Sequence, residues 1–232
     1  VSVKLLFELS VPTVAIHGSD QRFPVNRVYC VGRNYAAHAK EMGADPDREA
    51  PFFFSKPANA VMFNGRDIPY PSRTADLHHE VELVVALNKG GSRLSLDEAR
   101  SAVFGYATGI DFTRRDLQAE AKDKGRPWDT AKGFDYSAPV SAITPISKTG
   151  TITAGSISLS VNGKPKQQGD ISDLIWNVEE VIAELSTYYE LQAGDLIFTG
   201  TPAGVGAVVV GDTIEAQIDG LQPLQLTLSA PV

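Results

Sequence analysis

The chain has 232 residues, 43% of them apolar and 21% charged, with a formal net charge of −7 and a pI near 5.1. That length suffices for one large domain burying about 70 to 75% of its unfolded surface, with no need of staples. The acidic balance argues against nucleic acid or an anionic membrane as partner, and no apolar run approaches the roughly 18 to 20 residues that span a bilayer.

Residues 1–25 read as a short N-terminal β extension, broken by Pro12 and the turn-prone Gly18-Ser19-Asp20. RVYCVG is a compact strand carrying the only cysteine, Cys30, which reads as a small buried hydrophobe. One cysteine rules out a disulfide framework, and no basic segment leads into a long apolar core near the N-terminus, so a reducing, cytoplasmic setting is expected. NYAAHAKEMG reads as a short helix closed by Gly43, followed by a polar loop over 44–51. PFFFSKP is an edge or connecting strand between prolines. DLHHEVELVVAL reads as one long strand over 76–87. SLDE, from Ser95 to Glu98, has capping-box spacing and starts a helix to about Val103. AVFGYATGID is an apolar strand ending in Asp111, after which Thr113 and Asp116 start a charged helix that Gly125 closes. ISLSVNGKPK carries an Asn162-Gly163 hairpin signal. Asn177 caps a helix with Glu180 three residues on and an apolar stripe of Val178, Val181, Ile182 and Leu185. The C-terminal third returns to strands joined by Gly-rich turns. The balance is mainly β (α+β) with a few short helices, and the lack of regular βαβ alternation excludes a doubly wound sheet.

The strand over 76–87 holds the main chemical signal. Alternate strand residues share a face, so Glu80 and Glu82 leave one face together while Val81, Leu83 and Val85 leave the other. Val84 and Ala86 continue the Glu face with apolar side chains, which implies that this face is covered. Two carboxylates side by side in a covered place need a cationic partner. A divalent metal with oxygen ligands meets that need; two solvated Glu on a half-exposed strand is the plainer alternative. Asp111, at the end of a buried strand, would complete an oxygen-rich set for Mg²⁺ or Mn²⁺, with Ca²⁺ as a possible substitute.

Other residues gain meaning beside that set. His38 and Glu41 are three apart on one face of a short helix, where the Glu can fix the His tautomer and raise its basicity. The loop behind them suggests a lid; a surface pair is the alternative. Lys132, in TAKGFD, can stabilise an oxyanion if it lies near the metal. Arg115 and Gln118 share a helix face and can clamp a carboxylate. Backbone N–H groups of TGTPAGVG can approach a ligand closely. His78 has the parity of the Glu pair and can support it, His79 reads as structural, and His17 as a surface residue.

The blocks VGRNYAAHAKEMG, PFFFSKP, DLHHEVEL, GYATGIDFTRRDLQ, PWDTAKGFD, VNGKPKQQGD and GDLIFTGTPAGVG, in that order, resemble the fumarylacetoacetate hydrolase family over about residues 26–221. Within it the chain looks most like the small acylpyruvate hydrolases, bacterial fumarylpyruvate hydrolases in particular. The resemblance implies a catalytic domain over 26–232 with a mixed β-sandwich roll, usually as a homodimer. It implies Mg²⁺ or Mn²⁺ held by Glu80, Glu82 and Asp111, a His38–Glu41 lid dyad that activates water, Lys132 beside the metal, and Arg115, Gln118 and Thr201 facing a small dioxo-acid substrate. The implied reaction is hydrolysis of the C–C bond of a 2,4-dioxo acid, fumarylpyruvate above all. Decarboxylation or isomerisation of oxaloacetate or a related diacid is the alternative, and a metal-binding protein without activity is a distant third. A distal substrate carboxylate would call for a basic partner, with Arg33, Lys56 and Arg73 as candidates. The long N-terminal domain of the animal fumarylacetoacetases is absent, which argues against fumarylacetoacetate itself as substrate.

Overall fold

Runs of alternating or continuous apolar residues lay more of this chain into sheets than into helices. The computed structural model describes residues 4, 6–36, 49–63 and 67–231. At its centre is an eight-stranded mixed sheet ordered Phe52–Lys56, Val28–Gly32, Leu196–Phe198, Val81–Leu87, Val103–Ile110, Ala138–Val140 and Val61–Phe63, with Thr144–Pro145 also paired to Val103–Ile110. PFFFSKP thus supplies an edge strand, as its flanking prolines suggest.

Strand Val81–Leu87 is buried on both faces. Val81, Leu83, Val85 and Leu87 enter a large core. Val84 and Ala86 enter a smaller one on the other side, with Val28, Cys30, Leu196 and Phe198. The hairpin Thr13–Ala15/Arg22–Pro24 covers the smaller core with Val14 and Phe23. Burial there pushes the Cys30 thiol pKa well up, consistent with an inert hydrophobe. His17, expected on the surface, is half-buried beside this hairpin.

A five-stranded sheet ordered Lys164–Asp170, Ser156–Val161, Thr213–Ile218, Leu224–Ser229 and Asp67–Pro69 forms the second layer. Strands Ser156–Val161, Thr213–Ile218 and Leu224–Ser229 alternate, sending Ile157, Leu159, Ile214, Ile218, Leu226 and Leu228 into the large core. Asn162 (φ 52°) and Gly163 (φ 71°) turn the first hairpin of this sheet through a pair of left-handed residues, as the Asn-Gly signal requires. Helix Val178–Tyr188 packs its stripe of Val178, Val181, Ile182 and Leu185 into the same core, beside helix Leu96–Ala102. Both helices begin at the expected capping boxes, Asn177/Glu180 and Ser95/Glu98. The result is the mainly-β sandwich roll expected from the sequence.

Two elements differ from expectation. The stretch 76–87 is two strands, because Leu77–His79 joins a three-stranded sheet with Thr113–Arg114 and Gly206–Val208 while Val81–Leu87 joins the central sheet. Glu80 lies at the corner between them. Helix Arg115–Asp123 begins without a side-chain cap. Thr113 is in a strand, and the Asp116 carboxylate instead accepts hydrogen bonds from Thr74 Oγ1 and the Ala75 N–H. The helix expected over NYAAHAKEMG and most of the loop after it lie outside the described residues.

Leu185 is fully buried. Leu185→Ala is expected to lower unfolding stability by about 2–5 kcal/mol, read as a lower urea midpoint at unchanged m-value.

Candidate metal centre

The antiparallel register of the two longest central strands builds the site. Val81 pairs with Ile110 and Glu82 with Gly109. One step beyond, the Asp111 N–H donates to the Glu80 carbonyl at 2.8 Å. Glu80, Glu82 and Asp111 thereby converge, and one carboxylate oxygen from each lies within 4.8 Å of the others. All three residues are buried.

Cations from three other elements meet these carboxylates. Lys132 comes from the short helix Asp129–Lys132, and its ammonium donates to Glu80 Oε2 (2.8 Å), Asp111 Oδ2 (2.7 Å) and Thr113 Oγ1 (2.6 Å). Lys56, at the end of the edge strand, pairs with Asp111 Oδ1 at 2.7 Å and donates to the carbonyls of Phe112 and Lys132. Arg115 donates to Glu80 Oε1 at 2.5 Å and to Gln118 Oε1 at 2.7 Å. Burial alone would favour a neutral Lys132, but Asp111 and Glu80 outweigh it and hold its pKa above the ordinary value.

Glu82 differs. It accepts the Gly200 N–H at 2.8 Å, and among the described residues no lysine or arginine pairs with it. Burial first, then Asp111 and Glu80, push its pKa well up. Gly200 makes this bond from a left-handed backbone (φ 101°), where an added Cβ would also stand 2.8 Å from Asn34 Cβ. A buried carboxylate without a cation, next to two others, suits a hard divalent ion bound by oxygen. The donor set therefore fits Mg²⁺ or Mn²⁺, held by Glu80, Glu82 and Asp111.

A cleft opens over the carboxylates, lined also by Arg33, Arg115, Gln118, Lys132 and Thr201. Of the residues singled out in the sequence, these five and the three carboxylates come together. His38 and Glu41 lie outside the described residues. Two expectations change in detail. All three donors of Lys132 are taken, so donation to an oxyanion requires one bond to be given up. Arg115 and Gln118 share a face but are bonded to each other, and Arg115 also to Glu80. Of the candidates for a distal carboxylate, Lys56 is committed to Asp111, and Arg73 sits on an exposed turn outside the cleft lining. His78 supports the cluster indirectly: its Nε2–H donates to Asp76, and its Nδ1 faces Arg115 Nε at 3.4 Å.

Gln167 gave no signal in the sequence. Its Oε1 accepts the Val81 N–H (3.0 Å), and its Nε2 donates to Thr201 Oγ1 (2.8 Å) and the Pro202 carbonyl (2.9 Å). Because the Val81 N–H can only donate, the facing Gln167 atom is the oxygen. His79 Nδ1, 2.9 Å from that same oxygen, therefore carries its proton. Burial keeps the His79 pKa below its ordinary value, which favours the neutral imidazole. The only hint in the sequence is a Gln at the inward parity of its strand.

The chain matches the family described as fumarylacetoacetate (FAA) hydrolase C-terminal over residues 27–229. A fumarylpyruvate hydrolase of a Ralstonia species is 48% identical over 189 residues, covering 81% of this chain and 98% of that protein. An oxaloacetate tautomerase of Escherichia coli K12 is 41% identical over 199 residues, covering 85% and 90%. The crystal structure of fumarylpyruvate hydrolase from Pseudomonas aeruginosa, in complex with Mn²⁺ and pyruvate, superposes with a TM-score of 0.96 at 50% identity, covering 98% of this chain and all of that one.

Mn²⁺ at about 100 times its Kd is expected to stabilise the EDTA-treated protein by about 2.7 kcal/mol, and Glu82→Gln to abolish most of that gain in a thermal melt. An undiminished gain would remove Glu82 as a ligand. Gln167→Leu strands several buried polar groups and is expected to cost about 3 kcal/mol or more in urea denaturation.

Proposed function

The chain belongs to the fumarylacetoacetate hydrolase family, and from that footing we propose that it is a metal-dependent hydrolase of 2,4-dioxo acids that splits fumarylpyruvate into fumarate and pyruvate. The observation that carries this reading is the buried Glu80–Glu82–Asp111 set under a cation-lined cleft. Its support comes from the 48% and 50% identity to two fumarylpyruvate hydrolases over nearly their whole lengths.

On this reading Glu80, Glu82 and Asp111 hold Mg²⁺ or Mn²⁺, which when bound supplies Lewis acidity for the negative charge developing on the pyruvyl oxygens. Arg115, Gln118 and Thr201 orient the substrate's 1-carboxylate end. His38, aligned by Glu41, takes a proton from water as its oxygen attacks the distal carbonyl carbon. The bond from that carbon to the adjacent CH₂ breaks, and its electron pair leaves with the pyruvyl fragment, which gains a proton to become pyruvate. One water is consumed and two carboxylates leave. Lys132 keeps Glu80 and Asp111 aimed at the metal and, by giving up one of its three bonds, donates to the developing oxyanion. A homodimer in the cytoplasm is part of this reading. No helix among the described residues is long and apolar enough to cross a membrane.

A second reading is oxaloacetate chemistry at the same carboxylates, favoured by the 41% identity to the Escherichia coli oxaloacetate tautomerase. It needs no activated water, so His38 separates the two.

Metal-dependent loss of the enol absorbance of fumarylpyruvate, with stoichiometric pyruvate and abolition by EDTA, is the expected result. His38→Ala should lower kcat by about 10²- to 10⁴-fold while keeping Mn²⁺ affinity. Turnover of oxaloacetate with none of fumarylpyruvate would replace the first reading with the second, and full hydrolysis by His38→Ala would remove that residue as the base.

A further inference from the structure

Two of the cations that line the cleft take no part in the ion pairs of its floor. Lys56, Arg115 and Lys132 are committed to Asp111 and Glu80 on the floor. Arg33 and Lys122 also line the cleft, and among the described residues neither pairs with a carboxylate. Each is held over an aromatic ring instead, Arg33 at 5.8 Å from the Phe52 centroid and Lys122 at 5.2 Å from that of Trp128. Arg33 reaches its place from a left-handed backbone (φ 59°), a conformation that costs a non-glycine residue energy and recurs at ligand sites.

Lys122 lies on the helix that supplies Arg115 and Gln118. The three are at i, i+3 and i+7, one stripe of the helix directed at the cleft. The aromatic contacts give the stripe a direction. Lys132, on the floor, sits 5.0 Å from the Phe54 ring centroid; Phe54 meets Trp128 edge-on at 5.8 Å; and Lys122 covers Trp128. Two rings therefore separate the floor cation from the outer one, and Phe52 closes the same wall against Trp128 at 5.3 Å. Such a wall accepts a flat apolar segment about two rings deep, with a cation at its end.

We propose that Lys122, assisted by Arg33, binds a carboxylate at the far end of the acyl group and so selects acylpyruvates ending in a second carboxylate over neutral acylpyruvates. This assignment rests on the acylpyruvate-hydrolase reading above. A flat, unsaturated diacid chain places its double bond against Phe54 and Trp128 and its terminal carboxylate at Lys122. Partial burial in the cleft wall, with the Arg115 and Arg33 guanidiniums nearby, holds the Lys122 ammonium below its ordinary pKa. An arriving anion would relieve that repulsion. Lys122 retains access to solvent, so its replacement leaves no buried void.

The test is the ratio of kcat/KM for fumarylpyruvate to that for acetylpyruvate, measured with Mn²⁺ for the wild type, Lys122→Met, Lys122→Glu and Lys122→Arg. The ratio is expected to fall about tenfold or more in Lys122→Met, further in Lys122→Glu, and to be largely kept in Lys122→Arg. An unchanged ratio in both Lys122→Met and Lys122→Glu would overturn the assignment while leaving the hydrolase reading intact. A wild type that hydrolyses neither substrate would overturn both, and that failure is visible before any variant is made.

Discussion

Three carboxylates buried within one metal-sized space cannot all stay ionised unless positive charge is brought to them, and much of the site answers that demand. Two unit charges about 4 Å apart repel by roughly 4 kcal/mol at an effective dielectric of 20, so three mutually close carboxylates would cancel most of the stability of a typical domain. Lys56, Arg115 and Lys132 offset this repulsion from an edge strand and two different helices. Their side chains are committed there by further bonds, such as those of Lys56 to the Phe112 and Lys132 carbonyls. Among the described residues Glu82 is left with a backbone N–H, and burial beside Asp111 and Glu80 raises its pKa, a setting that an added cation would relieve.

The two layers of the sandwich meet this cluster through one amide. Gln167 belongs to the five-stranded sheet, yet it bonds Val81 in the central sheet, His79 in the three-stranded sheet, and Thr201 and Pro202 in the Gly-rich turn. Both of its donors and its oxygen are engaged, so the amide can sit in only one orientation. The corner at Glu80, flanked by His79 and Val81, is thus fixed from both sides. The Gly200 N–H that reaches Glu82 lies on the same turn. Packing of the outer sheet on the large core therefore also sets the aim of the carboxylates, which couples fold stability to site geometry.

What the sequence made legible was mostly local. The parity of Glu80 and Glu82, the capping boxes at Ser95 and Asn177, the Asn162-Gly163 turn and the stripe of helix Val178–Tyr188 each depend on residues a few positions apart. The break at Glu80 was hidden because both halves of 76–87 have strand-like composition, and only pairing with distant strands divides them. Lys56, one of three basic candidates for the far end of a substrate, is instead buried against Asp111, 55 positions later. Gln167 and Lys122 are polar residues in elements where polar residues are unremarked. For Lys122 the information was present, since it continues the Arg115–Gln118 spacing by one more turn.

The floor and the wall of the cleft answer to different parts of the chemistry. On the proposed reading the floor would recognise what 2-oxo acids share, a carboxylate beside a carbonyl, and its carboxylates and lysines would serve whether the next step is attack by water, loss of CO₂ or proton transfer. Relatives named for hydrolysis and for tautomerisation, 48% and 41% identical to this chain, fit that common demand. Discrimination must then come from residues that touch only the part in which substrates differ. In oxaloacetate the second carboxylate is close to the 2-oxo group, whereas in a fumaryl-type acyl chain it lies beyond a double bond. Two cations beyond an aromatic wall, paired with no carboxylate among the described residues, match the second spacing. They also give a chain of net charge −7 a positively charged entrance to its only use for an anion in this reading, so attraction of the substrate and selection of its length fall to the same side chains.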